Sequence, residues 1–153
     1  MSFALETTAF QNGGEIPKRH TCSGADVSPA LSWSGVPKGA QSLALIVDDP
    51  DAPGGTWTHW VLWNIPAHSP SLPEDVPKNE SLRDGGRQGK NDFGRIGYGG
   101  PCPPPGKPHR YYFRIYALDT SLALKASASR GELEDAMKRH VLTQAEWMGT
   151  FRR

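Results

Sequence analysis

The sequence predicts a mainly β protein in which short strands are joined by long ordered loops. Glycine and proline together make up about a fifth of the chain, with 17 and 14 of the 153 residues. This share is too low for a disordered chain and high for a helical one, because proline interrupts helices. Three segments have the character of strands, whereas only one has convincing helical spacing.

The length and charge of the chain restrict its function classes. A chain of 153 residues with 37% hydrophobic residues predicts one domain, spanning 1–153, with a substantial core. A net charge of +1, with no basic block, gives no reason to expect nucleic acid or an acidic membrane surface as a partner. No segment approaches the roughly 18 apolar residues of a membrane span, and no signal peptide is evident. We therefore expect a cytoplasmic protein.

The three predicted strands differ in how their apolar residues are arranged. Residues 42–49, SLALIVDD, form an apolar run that ends in acids, which is typical of a strand buried on both faces. Residues 56–65, TWTHWVLWNI, place Trp57, His59, Val61, Trp63 and Ile65 on one face. Both faces of this strand carry large residues, so it should lie deep in a sheet. Residues 109–118, HRYYFRIYAL, have one apolar and one amphipathic face.

One helix follows the last of these strands. Ser129 and Glu132 have the spacing of a capping box, which predicts a helix starting after Ser129. Helical spacing then relates Leu133, Ala136, Met137, His140 and Val141. The tail, residues 145–153, could form a short final strand with Trp147 and Phe151 on one face. Residues 66–108 are predicted to be mostly loop, and loops of this length in compact domains are usually functional.

Polar side chains with possible chemistry lie at the ends of the predicted strands. Asp48, Asp49 and Asp51 follow the first strand, His59 lies in the second, and His109 begins the third. Each feature alone has a structural explanation: an Asx turn for the acids and a satisfied core residue for a histidine. Two histidines on apolar strands, each beside a loop rich in glycine or proline, are harder to explain separately. Together they favour a binding site.

The loop before His109, GYGGPCPPPGKPHRY, could form one wall of such a site. Its glycines permit close backbone approach and its prolines make it rigid, so its N–H groups could bind an anion. Histidine has an ordinary pKa near 6.5, so paired imidazoles would bind an anion more weakly as pH rises from about 6 to about 8. By itself, however, the loop could equally be structural.

The sequence gives less support for an enzymatic function. Asp49, His59 and His109 match the residue types of a facial metal triad, but the two histidines are far apart in the sequence and lack a short ligand spacing. No G-x-S-x-G segment is present, and neither cysteine lies in a catalytic signature. We expect no metal, no cofactor and no catalytic activity.

Two long motifs carry a specific resemblance. DPDAP followed by WTHW, and YGGPCPPPGKPHRYYFRIYAL further on, resemble the phosphatidylethanolamine-binding protein family. SPALSW and the ending HVLTQAEWMGTFRR are similar to its bacterial and archaeal branch of Raf-kinase-inhibitor-like proteins. The resemblance implies an antiparallel β-sandwich with one or two short helices and a small anion-binding pocket at one end.

The resemblance also implies which residues form the pocket. Asp49 matches the family's pocket acid, with Asp51 and Pro53 shaping the turn after it. The implied ligand-binding residues are Asp49, Asp51, Trp57, His59, Gly100, Pro101, His109 and Tyr111. The family's pocket takes phosphate-bearing head groups, so a non-enzymatic binding protein for phosphoethanolamine-like or other small anions is implied. The alternatives are a protein-interaction module that inhibits a protease or kinase and, less well supported, a metal-dependent hydrolase.

Two further expectations concern association and cysteines. The branch commonly forms homodimers, and five tryptophans and four tyrosines are many for a domain of this size. Relatives often carry cysteines in the motifs that contain Cys22 and Cys102. We therefore expect these two residues to be close in space, and leave open whether a disulfide joins them.

Overall fold

The computed structural model describes residues 2–153, which form a mainly β structure, as the sequence predicts. A short 3-10 helix spans Lys18–His20. The strands and the helix, in chain order, are β1 (Ala4–Glu6), β2 (Leu31–Ser34), β3 (Ser42–Asp49), β4 (Trp57–Pro66), β5 (Ser71–Leu72), β6 (Arg87–Gln88), β7 (His109–Leu118), α1 (Arg130–Met137) and β8 (Val141–Phe151). β1, β2, β5 and β6 were not predicted, because each is too short to show a clear alternation.

The strands form two antiparallel sheets, which confirms the predicted β-sandwich. The smaller sheet has the order β1-β2-β5, and the larger has the order β6-β4-β3-β7-β8. Side chains from both sheets make up the main core, among them Leu5, Leu31 and Trp33 from the smaller sheet and Leu45, Trp60 and Phe113 from the larger. The opposite face of the larger sheet is covered by α1, through Leu133 and Met137. All eight residues of β3 are buried because this strand has a packed layer on each side.

Two irregularities in β4 change the predicted faces of that strand. Val47 and Asp48 are consecutive in β3, but their partners in β4 are Trp60 and Thr58, so His59 is the extra residue of a β-bulge. Such a bulge reverses the alternation on one side of it, and bulges are common beside functional sites. A second shift lies between Leu43 and Leu45.

As a result, the prediction that His59 shares a face with Val61 and Trp63 was wrong. His59 contacts Tyr111, which belongs to the main core, with the ring centres 5.3 Å apart. Val61 and Trp63 instead pack in the cluster that contains α1. Regular alternation fails here because the pairing with β3 sets the bulge, and the sequence of β4 alone does not reveal it.

The predicted helix start is confirmed, but the helix is shorter than its pattern suggests. The Ser129 hydroxyl accepts the Glu132 N–H at 3.2 Å, and the Glu132 carboxylate accepts the Ser129 N–H at 3.1 Å. The helix ends at Met137, and Arg139 has a φ of 69° that turns the chain. Val141, expected in the helix, begins β8, which is eleven residues long and pairs with all of β7. A full ladder of backbone hydrogen bonds outweighs a weak helical pattern.

No helix among residues 2–153 has the length and apolar character required to cross a membrane. The cytoplasmic location stays a prediction.

Candidate functional site

A cavity of about 240 Å³ opens at one end of the larger sheet. β3 runs antiparallel to both β4 and β7, so the end of β3 lies beside the starts of its two neighbours. This arrangement brings together residues that are far apart in the sequence. The cavity is lined by Asp49, Ala52, Pro53, Trp57, His59, Phe93, Cys102, Pro103, Pro104, His109 and Tyr111.

Asp49 and His109 form a close pair in the wall of this cavity. His109 Nδ1 lies 2.7 Å from Asp49 Oδ2, and the two side chains are 13% and 4% exposed. The other carboxylate oxygen accepts the Asp51 N–H at 2.8 Å. Because an ionised carboxylate only accepts, Nδ1 of His109 carries the hydrogen. The pair therefore fixes the orientation of the imidazole, with its Nε2 directed away from Asp49.

His59 is fixed by the loop that faces it. Its Nδ1 lies 2.7 Å from the Gly99 carbonyl oxygen, and the Gly99 N–H donates to the His59 carbonyl at 3.0 Å. Burial lowers the pKa of His59, and this effect exceeds the opposing influence of the Gly99 and Gly100 carbonyls and the Asp49 carboxylate. His59 is thus biased towards the neutral form.

Tyr111 brings a buried hydroxyl to the same cavity. The residue is 1% exposed, and its hydroxyl lies close to the Asp49 carboxylate but makes no hydrogen bond of good geometry within residues 2–153. The only other such atom in this part of the chain is Trp63 Nε1, on the helix side of the sheet. Burial, together with the nearby Asp49 carboxylate, raises the pKa of Tyr111, so the phenol keeps its proton and can donate. An unpaired buried donor costs about 1–3 kcal/mol, which a bound acceptor would recover.

Three of the predicted ligand-binding residues lie behind the lining. The Asp51 carboxylate binds the Arg110 guanidinium at 2.7 Å, and this hydrogen bond lowers the pKa of Asp51 to about 2. The Gly100 N–H donates to Asp26 Oδ1 at 2.8 Å, and the Pro101 carbonyl accepts the Cys22 N–H at 3.0 Å. These groups hold the turn and the loop in place. The other five predicted residues, Asp49, Trp57, His59, His109 and Tyr111, line the cavity.

A disulfide joins the loop to the first third of the chain. The Cα atoms of Cys22 and Cys102 are 5.3 Å apart, which confirms the expected proximity, and the two residues are bridged. Cys102 lines the cavity. Beside it, a side chain at Gly100 would collide with the His20 carbonyl, so only glycine allows this close approach. The bridge therefore braces the loop that forms one wall of the site.

Asp48, the first acid of the cluster, does not face the cavity. Its carboxylate lies 3.1 Å from Arg114 Nε and 2.8 Å from Arg130 Nη1, on the helix side of the larger sheet. Consecutive residues of a strand point to opposite faces, so Asp48 and Asp49 separate. Asp48 belongs to an ion-pair cluster that ties α1 to the sheet.

The sequence analysis missed Phe93 as a lining residue. This side chain meets Trp57 edge-on at 5.5 Å and His59 edge-on at 5.4 Å. It comes from the long loop between β6 and β7. The glycine-rich sequence of this loop has no periodicity from which the position of Phe93 could be predicted. The only signal was an aromatic residue in a polar, glycine-rich loop.

The geometry gives little support for a metal centre. Within residues 2–153, no group of three or more His, Cys, Asp or Glu side chains is arranged to hold a metal ion. Both oxygens of Asp49 already accept hydrogen bonds, and the Nδ1 atoms of both cavity histidines are occupied.

Two known proteins are similar in sequence to nearly the whole chain. The chain is 56% identical over 149 residues to a UPF0098 protein from Methanothermobacter thermautotrophicus, covering 97% of this chain and 98% of the relative. It is 51% identical over 147 residues to a UPF0098 protein from Aquifex aeolicus, covering 95% of this chain and 85% of the relative.

Two solved structures are similar over nearly their whole length. The phosphatidylethanolamine-binding protein homologue CT736 from Chlamydia trachomatis superposes with a TM-score of 0.91 at 40% identity, covering 99% of this chain and 98% of the other. YbcL from E. coli, described as a member of the mammalian PEBP family, gives a TM-score of 0.93 at 36% identity, covering 100% and 99%. The family profile described as phosphatidylethanolamine-binding protein matches residues 6–152. The chain therefore belongs to the phosphatidylethanolamine-binding protein family.

Proposed function

We propose that this protein binds a small anion in the cavity, such as the phosphate of a phosphoethanolamine-like head group, and does not transform it. The observation that carries the proposal is the buried hydroxyl of Tyr111, which lines the cavity and has no partner within residues 2–153. An anionic oxygen is a strong acceptor for such a donor. The ring of His109 stacks beside it, with the centres 6.5 Å apart, and offers a second polar group.

The size and lining of the cavity support a head group rather than a larger ligand. At about 240 Å³ it is smaller than the roughly 300–1,000 Å³ typical of pockets for drug-sized molecules. Trp57 and Phe93 present aromatic surface on one side. Aromatic faces attract ammonium groups, so a zwitterion with a phosphate and an ammonium would suit both parts of the lining.

The lining offers no hydroxyl or thiol nucleophile of the serine, threonine or cysteine type. Within residues 2–153 it contains no serine or threonine, and its one cysteine is in a disulfide. Acyl or phosphoryl transfer through such a group therefore has no nucleophile here, which supports binding without catalysis.

Calorimetry with phosphoethanolamine at pH 6 tests this proposal. We expect binding on the order of millimolar, or roughly −4 kcal/mol. Tyr111→Phe should weaken it about tenfold or more, because a hydrogen bond to a charged group is lost. Tyr112→Phe, on the opposite face of β7, is the matched control and should bind like the wild type. No binding by the wild type would refute the proposal.

We also propose that the protein forms a homodimer, through the outer edge of β8. At its far end this edge is covered. Met148 accepts the Gly13 N–H, and Thr150 accepts the Ile16 N–H and donates to the Gly14 carbonyl. Nearer its start, no such backbone bonds cover the edge within residues 2–153, and Val141 and Leu142 are 43% and 44% exposed. Open strand edges pair readily with a second chain, and two-fold pairs are the commonest assembly. Sedimentation at micromolar concentration should give the dimer mass, and Gln144→Pro should shift it to the monomer.

Inhibition of a protease or kinase is the alternative function. The favouring observation is Trp57, which is 37% exposed at the rim of the cavity. Exposed tryptophans are common anchors of protein interfaces. Inhibition by the wild type in a panel of proteases and kinases, lost in Trp57→Ala, would support this alternative.

A further inference from the structure

The hydrogen bonds around His59 determine which of its nitrogens carries a proton. Nδ1 faces the Gly99 carbonyl oxygen at 2.7 Å. A carbonyl oxygen can only accept, so Nδ1 must donate and carries the hydrogen. In a neutral imidazole the other nitrogen, Nε2, then has a lone pair and no hydrogen. The loop thereby fixes the tautomer of His59.

Nε2 of His59 is left for a ligand. Within residues 2–153 the ring makes its hydrogen bond through Nδ1, and Nε2 is not among the enclosed atoms that lack a partner. The ring lines the cavity although the residue is only 3% exposed. Nε2 is therefore an acceptor that is accessible from the cavity.

The groups that surround His59 do not supply a proton to this nitrogen. β7 contributes Tyr111, whose hydroxyl has no partner, and β3 contributes the Asp49 carboxylate, which accepts from His109 and Asp51. The nearby Asp26 carboxylate accepts the Gly100 N–H. Phe93 covers the ring edge-on and carries no titratable group. The cavity thus combines a donor, Tyr111, with an acceptor, His59.

We infer that the cavity selects anions that carry their own proton, such as the monoanion of a phosphate monoester, over oxyanions that carry none, such as a sulfate ester. This inference rests on the proposed function. The P–OH group of the ligand donates to His59 Nε2, while an unprotonated P–O⁻ oxygen accepts from Tyr111. A sulfate ester fills the same space but places an oxygen lone pair against the lone pair of Nε2, so His59 is the specificity-determining residue.

Two ligands of matched shape test the inference. O-phosphoethanolamine and 2-aminoethyl sulfate differ in the proton on the oxyanion, and phosphate monoesters are about half monoanion near pH 6. We expect the wild type, by calorimetry at pH 6, to bind the phosphate ester at least about tenfold more tightly, the loss of one hydrogen bond. The ratio of the two affinities cancels the contributions that both esters share.

A variant of His59 tests its role. His59→Gln offers an amide N–H in place of the lone pair, so the preference should fall to about one or reverse. Equal binding of both esters by the wild type, or tighter binding of the sulfate, would overturn the inference and leave the proposed anion site intact. Binding of neither ester would overturn both. Because the wild-type comparison stands alone, the test does not depend on the folding of the variant.

Discussion

Two neighbouring acids at the end of β3 lie in contrasting surroundings. Asp48 is 1% exposed and contacts two arginines, Arg114 and Arg130. Asp49 is 3% exposed and contacts one histidine and a backbone N–H, beside a hydroxyl that has no partner within residues 2–153. One strand end therefore builds a saturated structural cluster on one face and an incompletely satisfied pocket on the other. Burial and charge do not distinguish Asp48 from Asp49. What distinguishes them is the unpaired hydroxyl that lies beside Asp49.

The two faces are also braced differently. The pocket loop is tied to the first third of the chain by the Cys22–Cys102 bridge, whereas α1 is tied to the sheet by ion pairs of Asp48 with Arg114 and Arg130. A covalent tie fixes the pocket wall independently of pH. The ion pairs stabilise packing on a face where no pocket is needed.

Removal of the covalent brace should have the largest effect. The double substitution Cys22→Ala and Cys102→Ala opens a loop of 80 residues, which should lower the free energy of unfolding by roughly 4 kcal/mol in the chain-entropy model. Urea unfolding measures this loss, and phosphoethanolamine affinity should fall with it. The wild type with a reductant should behave like the variant, which itself should ignore the reductant. Two free thiols in the denatured, unreduced wild type would show that the bridge is absent.

Removal of the ion pairs of Asp48 should lower the free energy of unfolding somewhat less and leave ligand binding in the cavity intact. Asp48→Asn leaves two arginines without their buried partner, so the free energy of unfolding should fall by about 3 kcal/mol. Glu146→Gln removes the exposed partner of Arg114 and is the control, with an expected loss below about 1 kcal/mol. Urea unfolding of both variants checks the difference. Equal losses would mean that burial of Asp48 contributes nothing special.

Asp49→Asn, in contrast to Asp48→Asn, should affect ligand binding more than the free energy of unfolding. The amide cannot hold His109 as the carboxylate does, so phosphoethanolamine affinity should fall about tenfold. Calorimetry at pH 6 measures this effect. Asp51→Asn alters an acid of the same turn that lies behind the lining and should change affinity less than about twofold, within the range of peripheral contacts. Similar losses in both variants would place the ligand outside the cavity.

The smallest effect concerns acid stability. Hydrogen bonding to Arg110 lowers the pKa of Asp51 from 3.8 to about 2, so its stabilisation is present above pH 3.8 and disappears as pH falls towards 2. Because Arg110 is exposed, we expect less than about 1 kcal/mol. The difference in urea midpoint between the wild type and Asp51→Asn should be seen at pH 6 and vanish near pH 2. A difference that persists at low pH would contradict the ion-pair origin.

Local patterns in the sequence determined much of the fold. Apolar runs with acids at their ends identified β3, and alternation identified β7, because a buried strand must carry apolar residues wherever it is packed. Ser129 and Glu132 determined the helix start, since a capping box satisfies its N–H groups locally. The motifs around His59 and His109 indicated the family, and through it five residues that line the cavity: Asp49, Trp57, His59, His109 and Tyr111.

Only the tertiary structure decided on which face of a sheet each side chain lies and which residues it contacts. Pairing with β3 placed the bulge at His59, and pairing with β7 extended β8 back to Val141. Phe93 reached the cavity from a loop without periodicity, while Gly100 came to lie behind it. These outcomes depend on contacts between segments far apart in the chain. The sequence of a strand shows the spacing of its apolar residues. Its register and its bulges depend on the strands that pair with it. The hydrogen-bonding groups that stay unpaired in the site depend on the strands and loops that pack around them.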